Sequence, residues 1–167
     1  IQAILIAFCF GGLLEALAGF GAPVAITATM ILALGVKPLK AAITVLLANT
    51  APVAFGAVAV PITTAADVGG KDAHVIATIV GHQAPFLAML VPLILLVILD
   101  GMKGLKDAWL PALVIGVSFA IAQWVTAATP AYNLTDVVAC IVSMGVAVVF
   151  LQFWKPRGVA GVRERYG

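Results

Sequence analysis

Residues 13–26 read LLEALAGFGAPVAI, and this stretch decides the fold that the sequence predicts. It is apolar apart from Glu15, yet two glycines and a proline interrupt it at residues 19–23. Glycine permits backbone angles that other residues avoid. Pro23 suits the first turn of a following helix, because its missing N–H would be unpaired there. We therefore expect residues 1–35 to form either a re-entrant hairpin of two helices, each about 20 Å long, or one strongly broken helix.

The composition indicates that this stretch lies in a membrane. Of the 167 residues, 63% are hydrophobic and 10% are charged, whereas soluble domains carry about 45–50% apolar and about 25% charged residues. Five runs contain no Asp, Glu, Lys or Arg, and each is near or above the roughly 18–20 residues that cross the hydrocarbon core as a helix. They are 16–36, 41–66, 73–99, 108–135 and 137–154. The sequence predicts an all-α membrane protein, a polytopic helical bundle with re-entrant or broken helices.

The predicted spans make residues 1–154 a partial transmembrane transport domain. Its parts are the hairpin or broken helix 1–35, a broken span 41–66, and the segments 73–99, 108–128 and 137–154. A basic cytoplasmic segment, 155–167, follows. Since the chain opens on Ile1 without a polar lead-in, we expect a fragment that starts inside a helix.

The Lys and Arg residues predict an orientation, because cytoplasmic loops carry an excess of them. They form three regions: Lys37 and Lys40, then Lys103 and Lys106, then Lys155, Arg157, Arg163 and Arg165. The turn 129–136 has none. All three regions face the cytoplasm if the spans alternate in direction, with 41–66 and 108–128 leaving and 73–99 and 137–154 returning.

A second break repeats part of the amino-acid sequence of the first. Residues 22–25 and 51–54 both read APVA, and Asn49 and Thr50 add polar side chains before the second one. In lipid such breaks persist only where protein or a polar cavity satisfies the freed backbone groups. Many transporters point a half-helix N-terminus at an anionic substrate. We therefore expect the two breaks to face one cavity, with kinks that serve only helix packing as the alternative.

Glu15 and His82 are the candidates for proton coupling. Glu15 stands one helical turn before Gly19 on the same face, and an ionisable group inside a membrane is by default a functional candidate. His82 precedes Gln83 and Pro85 in a charge-free run. The alternatives are a Glu15 in contact with water at the membrane edge and a His82 that is hydrogen-bonded at a helix end.

The sequence lacks the motifs of soluble catalysis. Residues 19–21 (GFG) miss the third glycine of a dinucleotide loop, and 70–71 (GK) is not followed by the Ser or Thr of a Walker loop. Residues 116–120 (GVSFA) miss the final glycine of a nucleophile elbow. Cys9 and Cys140 lie in separate apolar stretches and read as small buried hydrophobes. We expect no enzymatic activity, no metal, no cofactor and no nucleic-acid partner.

Four stretches closely resemble bacterial L-lactate permeases. They are residues 13–26, 49–57 (NTAPVAFGA), 81–86 (GHQAPF) and 118–123 (SFAIAQ), and their order and spacing match along essentially the whole chain. The chain departs from that family at His82, where we expect Arg in many relatives. A role that needs a permanent cation does not carry over to this position.

The resemblance implies a proton-coupled importer of L-lactate and related 2-hydroxymonocarboxylates such as glycolate in the bacterial inner membrane. It also implies similarity to the ion-transporter superfamily, in which re-entrant hairpins and broken helices hold the anionic substrate. The partners would be lactate or a related monocarboxylate, protons, the lipid bilayer and the remainder of the same permease chain. A transporter of another organic anion and a channel or non-transporting membrane subunit are the alternatives.

On this hypothesis the two breaks bind the carboxylate and hydroxyl of the substrate, and two nearby side chains carry or gate the proton. The expected substrate-binding residues are Gly19, Phe20, Gly21, Ala22, Pro23, Asn49, Thr50 and Pro52. The expected proton-coupling residues are Glu15 and His82.

Overall fold

The computed structural model describes residues 1–19 and 21–154, and all regular elements within these ranges are helical. The α-helices are α1 (Gln2–Ile4), α2 (Gly11–Ala18), α3 (Ala22–Ala33), α4 (Pro38–Ala48), α5 (Val60–Gly69), α6 (Ala73–Ala127) and α7 (Thr135–Phe153). A π-helical turn (Leu5–Phe10) joins α1 to α2, and 3₁₀ turns occur at Ala57–Ala59 and Tyr132–Leu134. The all-helical class is confirmed. Phe20 and the predicted basic segment 155–167 lie outside the described residues.

Residues 2–18 and 22–33 form a helical hairpin. The helical run Gln2–Ala18 extends for about 26 Å, and the 12 residues of α3 fold back along it for about 18 Å. The arms approach closely because Gly11 has no side chain: a Cβ there would lie 3.3 Å from Cγ2 of Thr27. The hydroxyl of Thr27 donates to the carbonyl oxygen of Pro23 (2.7 Å), so this buried group is paired within α3. The described part of this stretch thus contains two helices packed as a hairpin.

The second break separates two short helices, α4 with 11 residues and α5 with 10. α4 ends at Ala48, turns follow through Phe55, and regular α-helix resumes only at Val60. Pro61 stands in the first turn of α5, where a proline costs no helical hydrogen bond.

α6 contains 55 residues and two backbone interruptions. Gly101 (φ 66°, ψ −159°) and Ala108 (φ −134°, ψ 18°) leave the helical region. The short piece between them is helical, so the connection between the predicted spans 73–99 and 108–128 is a helical turn rather than an open loop. The physical reason is that Gly101 adopts an angle pair open to glycine and redirects the chain without a longer linker.

The two arms of α6 lie side by side and run in opposite directions. A Cβ on Gly81 would lie 2.3 Å from Cβ of Ala127, and one on Gly116 would lie 2.5 Å from the carbonyl oxygen of Met89. From the first contact to the second, the residue number rises from 81 to 89 along one arm and falls from 127 to 116 along the other. The two arms are therefore antiparallel. Glycine at these points allows the backbones to approach, as small residues do in membrane helix pairs.

α7 completes the core. Its 19 residues extend for about 28 Å and pack along both α6 and α2. Phe8 from the π turn meets Phe119 of α6 edge to face, with ring centroids 5.0 Å apart. Gly12 of α2 faces Cys140 of α7, where an added Cβ would lie 2.8 Å from Sγ. The N-terminal hairpin is therefore held between α6 and α7.

Two of the lysine-bearing regions lie at one end of the bundle. Nζ of Lys40 donates to the carbonyl oxygen of Leu99 (3.5 Å), which places the start of α4 beside the Gly101 turn. Lys103 and Lys106 follow directly after that turn and are exposed.

Two segments are long and apolar enough to cross a membrane, Ala73–Ala127 and Tyr132–Phe153. Among the described residues, the remaining apolar helices are shorter. Large apolar side chains also point outward, including Leu39, Phe86 and Leu87. Exposed apolar surface of this extent is typical of a surface covered by lipid or by further protein.

Candidate functional site

The two breaks in the chain come together in space. Gly19 ends α2 and packs against Ala57, so that a Cβ on Gly19 would lie 2.9 Å from the Cβ of Ala57. Gly19 (φ 59°, ψ −164°) and Gly56 (φ 56°, ψ −153°) share one unusual backbone conformation, which belongs to a region that is essentially open to glycine alone. The contact joins the tip of the hairpin to the segment between α4 and α5.

A cavity of about 590 Å³ lies at this contact. Its volume falls within the range of small-molecule pockets, about 300–1,000 Å³. The first break contributes Glu15, Gly19 and Gly21; the second contributes Val53, Gly56, Ala57, Val60, Pro61, Thr64, Ala65 and Val68. A carboxyl group, a hydroxyl group and backbone groups thus converge among small apolar side chains.

Two helices begin at the cavity. Gly21 is the N-cap of α3, in the left-handed conformation (φ 89°, ψ −12°), and Val60 and Pro61 open α5. The first N–H groups of a helix have no partner inside the helix, and its N-terminus carries about half a positive charge. An anion in the cavity would therefore meet two partly positive helix ends.

The second of these helix starts differs from the one that the sequence pattern indicates. In the first break Ala22 and Pro23 open a helix. In the second, Ala51 and Pro52 belong to a turn in which the carbonyl oxygen of Pro52 accepts from the N–H of Gly56 (2.8 Å). The two APVA sequences therefore do not occupy structurally equivalent positions. The equivalent helix start is Val60, because the backbone leaves its turn only after Gly56.

The short 3₁₀ turn beside Gly19 is strained. Val58 (φ 49°) and Ala59 (φ 58°) hold positive φ angles without being glycine, and for a β-branched residue such as Val58 this conformation is an outlier. Strained backbone of this kind concentrates at ligand sites, where the surrounding structure holds it in place.

Glu15 is the only acidic side chain in the described lining of the cavity. It is 8% exposed, and its Oε2 atom has no hydrogen-bond partner. Its backbone carbonyl oxygen accepts from the N–H of Gly19 (3.0 Å), which ties it to the break. A buried carboxyl oxygen without a partner is costly when the group is an anion.

The other expected substrate-binding residues lie around the cavity rather than in it. Pro23 is buried, whereas Ala22 is exposed at the start of α3. Asn49 is half-buried at the end of α4, and the hydroxyl of Thr50 donates to the carbonyl oxygen of Leu47 (2.6 Å). Pro52 is buried on the side of Gly12. The described lining includes none of these, and Phe20 lies outside the described residues.

His82 lies apart from the cavity. Its side chain is exposed on α6, with Nδ1 2.6 Å from the carbonyl oxygen of Thr78 and its ring edge-on to Trp124 (6.0 Å between centroids). The structure thus brings Glu15, Gly19 and Gly21 together, and it does not bring His82 to them.

One residue of the cavity lining and one buried polar pair were not predicted from the sequence. Thr64 is one turn into α5, and nothing local distinguishes it from Thr63. Asp136 and Gln123 are buried and hydrogen-bonded to each other (2.9 Å). The available signal was a polar residue, Gln123, within a predicted span and an acid at the edge of the next one. No group of three or more His, Cys, Asp or Glu side chains among the described residues could hold a metal ion.

The match to a protein family decides the classification of the chain. The family model described as L-lactate permease matches residues 1–165. The chain belongs to the L-lactate permease family. Over 157 residues it is 49% identical to a glycolate permease of Escherichia coli and 48% identical to an L-lactate permease of Bacillus subtilis. An L-lactate permease of E. coli is 45% identical over 156 residues.

These alignments cover 93–94% of this chain but only 28% of each relative. The chain therefore spans little more than a quarter of the length of the L-lactate permease relatives that it matches. No solved structure matches it. Membership of a permease family agrees with the long apolar helices and indicates a membrane protein.

Proposed function

We propose that this chain forms part of a secondary active transporter that imports L-lactate and related 2-hydroxymonocarboxylates, including glycolate, together with protons. One observation carries the proposal: within an L-lactate permease family chain, two helix N-termini and a buried carboxyl converge on one cavity. The names of the relatives, L-lactate permease and glycolate permease, supply the substrate class.

In this proposal the substrate carboxylate binds between the starts of α3 and α5. Gly19, Gly21 and Gly56 keep the backbone free of side chains at the cavity, so the anion can approach the main-chain N–H groups. The hydroxyl of Thr64 lies in the same lining and can pair with the substrate. Asn49, Thr50, Pro52, Ala22, Pro23 and Phe20 then support the site from around it.

Glu15 carries the proton in this proposal. A proton on Glu15 leaves the lactate anion as the only charge in the cavity, and the two helix ends offset that charge. Loss of the proton places a second negative charge beside the substrate, which favours release because like charges in a low-dielectric site repel strongly. His82, which is exposed and does not line the cavity, has no direct contact with this step.

The proposed setting is the bacterial inner membrane, crossed several times. The end that carries Lys40, Lys103 and Lys106 would face the cytoplasm by the positive-inside rule. The remainder of the permease would cover the exposed apolar side chains and complete the walls of the cavity. No partner other than substrate, protons, lipid and the rest of the permease is needed.

Competition for uptake tests the substrate class. Membrane vesicles containing the full-length protein should take up labelled L-lactate, and excess glycolate should suppress that uptake while an excess of a C4 dicarboxylate should not. Equal suppression by the dicarboxylate would indicate a transporter of a different organic anion. Uptake that does not saturate would instead favour a channel.

Replacing Thr64 by Val tests the position of the site. The change removes one hydroxyl from the cavity with little change of shape, so the apparent KM for lactate should rise about tenfold, the effect of losing one hydrogen bond to a charged group worth about 1.5 kcal/mol. Initial rates of labelled uptake over a range of concentrations measure this. Thr63→Val is the control, because the Thr63 hydroxyl already donates to the carbonyl oxygen of Val60 (3.0 Å). A larger effect of Asn49→Ala than of Thr64→Val would move the site to the turn after α4.

A further inference from the structure

A buried acid–amide pair lies beside the proposed substrate cavity. Asp136 is 2% exposed and Gln123 is fully buried, and Nε2 of Gln123 donates to Oδ1 of Asp136 (2.9 Å). The turn between α6 and α7 brings them together. Within that turn the hydroxyl of Thr135 donates to the carbonyl oxygen of Tyr132 (2.6 Å), which fixes the start of α7. Neither side chain has a role in the proposed site described so far.

One atom of each partner is left without a hydrogen bond. Oδ2 of Asp136 and Oε1 of Gln123 are both buried and unpaired. If Asp136 is ionised, both atoms are acceptors, and neither can satisfy the other. If Asp136 is protonated, its Oδ2–H can donate a hydrogen bond to Oε1 of Gln123. A single proton would thus close the pair with two parallel hydrogen bonds.

Glu15 lies on the helix that packs against the start of α7. Gly12 of α2 faces Cys140 of α7, and from that contact Glu15 lies one turn toward the hairpin tip while Asp136 lies one turn toward the start of α7. Because α2 packs along α7, these two positions face the same part of the interface. Oε2 of Glu15 is also buried and unpaired. Two ionised carboxylates side by side in such an apolar interface are strongly disfavoured.

Among the described residues, the other ionisable side chains around Asp136 are two thiols and an imidazole. Cys140 lies on α7 itself, and Cys9 faces it from the π turn. His74 on α6 approaches the carbonyl oxygen of Ala128 (3.2 Å) and packs against Tyr132 in the 3₁₀ turn. The lysines in the described part of the chain are all exposed: Lys37, Lys40, Lys71, Lys103 and Lys106. The partly positive N-terminus of α7 can stabilise the ionised form of Asp136 while the proton is elsewhere.

We propose that Asp136 and Gln123 form a second proton-holding site, which exchanges one proton with Glu15. The O–H bond of Glu15 breaks, a new O–H bond forms at Oδ2 of Asp136, and Glu15 retains the electron pair as a carboxylate. The reverse step returns the proton. The net charge of the two acids is the same before and after, so the proton moves without adding charge to the apolar interface. The protonated Asp136 does not depend on the proposed substrate, whereas its part in transport rests on the proposed function.

The variant Asp136→Asn tests this proposal in the full-length protein. Asn reproduces the pair, since its carbonyl oxygen accepts from Nε2 of Gln123 and its amide donates to Oε1, and we therefore expect it to fold. Infrared spectra of the purified wild type should show the carbonyl stretch of a protonated carboxylic acid near neutral pH, and the part of that band contributed by Asp136 should be missing from D136N. In proteoliposomes, D136N should lose proton-driven lactate accumulation but keep lactate exchange at a rate close to that of wild type.

Asp67→Asn is the matched control, because Asp67 is exposed on α5 and the chemical change is the same. An unchanged carboxylic-acid band in D136N, or full proton-driven accumulation by it, would overturn the proposal. If wild type transports no monocarboxylate, the proposed function fails, and the infrared band still decides whether Asp136 holds a proton. If D136N does not fold, Gln123→Glu decides instead: it should keep a protonated acid and shift the pH dependence of exchange, and an unchanged pH dependence contradicts the proposal.

Discussion

Replacing Glu15 by Gln in the full-length permease should abolish proton-driven accumulation of lactate while leaving lactate exchange in place. Gln keeps the size and hydrogen-bonding capacity of a protonated Glu15 but cannot release a proton. Exchange needs only the loaded carrier, whereas accumulation needs the proton to leave. With an imposed gradient of about one pH unit, one coupled proton supplies about 1.4 kcal/mol, so the accumulation ratio should fall about tenfold. Labelled uptake and counterflow in proteoliposomes measure the two activities separately.

The control for this variant is Asp72→Asn. Asp72 caps α6 by accepting from the N–H of His74 (2.7 Å), and Asn serves as an N-cap equally well. It removes one carboxylate at an exposed position, so both activities should match wild type. Full accumulation by Glu15→Gln would remove Glu15 from the coupling step and would leave Asp136 as the acid to examine.

Replacing Gly19 by Ala should produce the second large effect. The φ and ψ angles of Gly19 lie in a region that other residues essentially do not adopt, at a cost of about 1–3 kcal/mol. A Cβ would also lie 2.9 Å from that of Ala57, so the contact between the two breaks would have to open. We expect a lower unfolding temperature of the purified full-length protein and loss of most lactate uptake.

Two further glycines separate the causes of that effect. Gly21→Ala places an alanine at a positive φ, but its Cβ would meet no atom within 4 Å. Its effect on the unfolding temperature should therefore be smaller than that of Gly19→Ala. Gly145→Ala lies within α7 with open space around it and should be neutral or slightly stabilising, because Ala is favoured over Gly in a helix by about 0.5–1 kcal/mol. Unfolding temperatures that are equal for Gly19→Ala and Gly145→Ala would show that the two breaks do not depend on this contact.

The sequence predicted the first break well because the determinants are local. Two glycines supply the positive φ angles of Gly19 and Gly21, and Pro23 stands in the first turn of α3 as expected. The second break was only partly predictable. Its APVA sequence predicted a helix start at Ala51 and Pro52, but the helix begins at Val60. A turn at Pro52 and the backbone conformation of Gly56 lie before that start.

Neither the residues that line the cavity nor the acid–amide pair of Asp136 and Gln123 could be predicted from the sequence. Thr64 reaches the cavity because of the direction in which α5 leaves the 3₁₀ turn, and that direction depends on the strained angles of Val58 and Ala59. Asp136 meets Gln123 across a turn, and α2, which carries Glu15, packs against α7, which carries Asp136. Such contacts depend on how the helices pack, and no single helical pattern contains them.

Uptake of labelled L-lactate by the full-length protein in proteoliposomes, with an acid exterior and a neutral interior, tests the central claim most directly. We predict saturable uptake that rises above equilibrium with the external concentration, and that falls back to it when a protonophore dissipates the gradient. Uptake that never exceeds equilibrium, or that is indifferent to the protonophore, would contradict proton-coupled import at the cavity between Gly19 and Gly56.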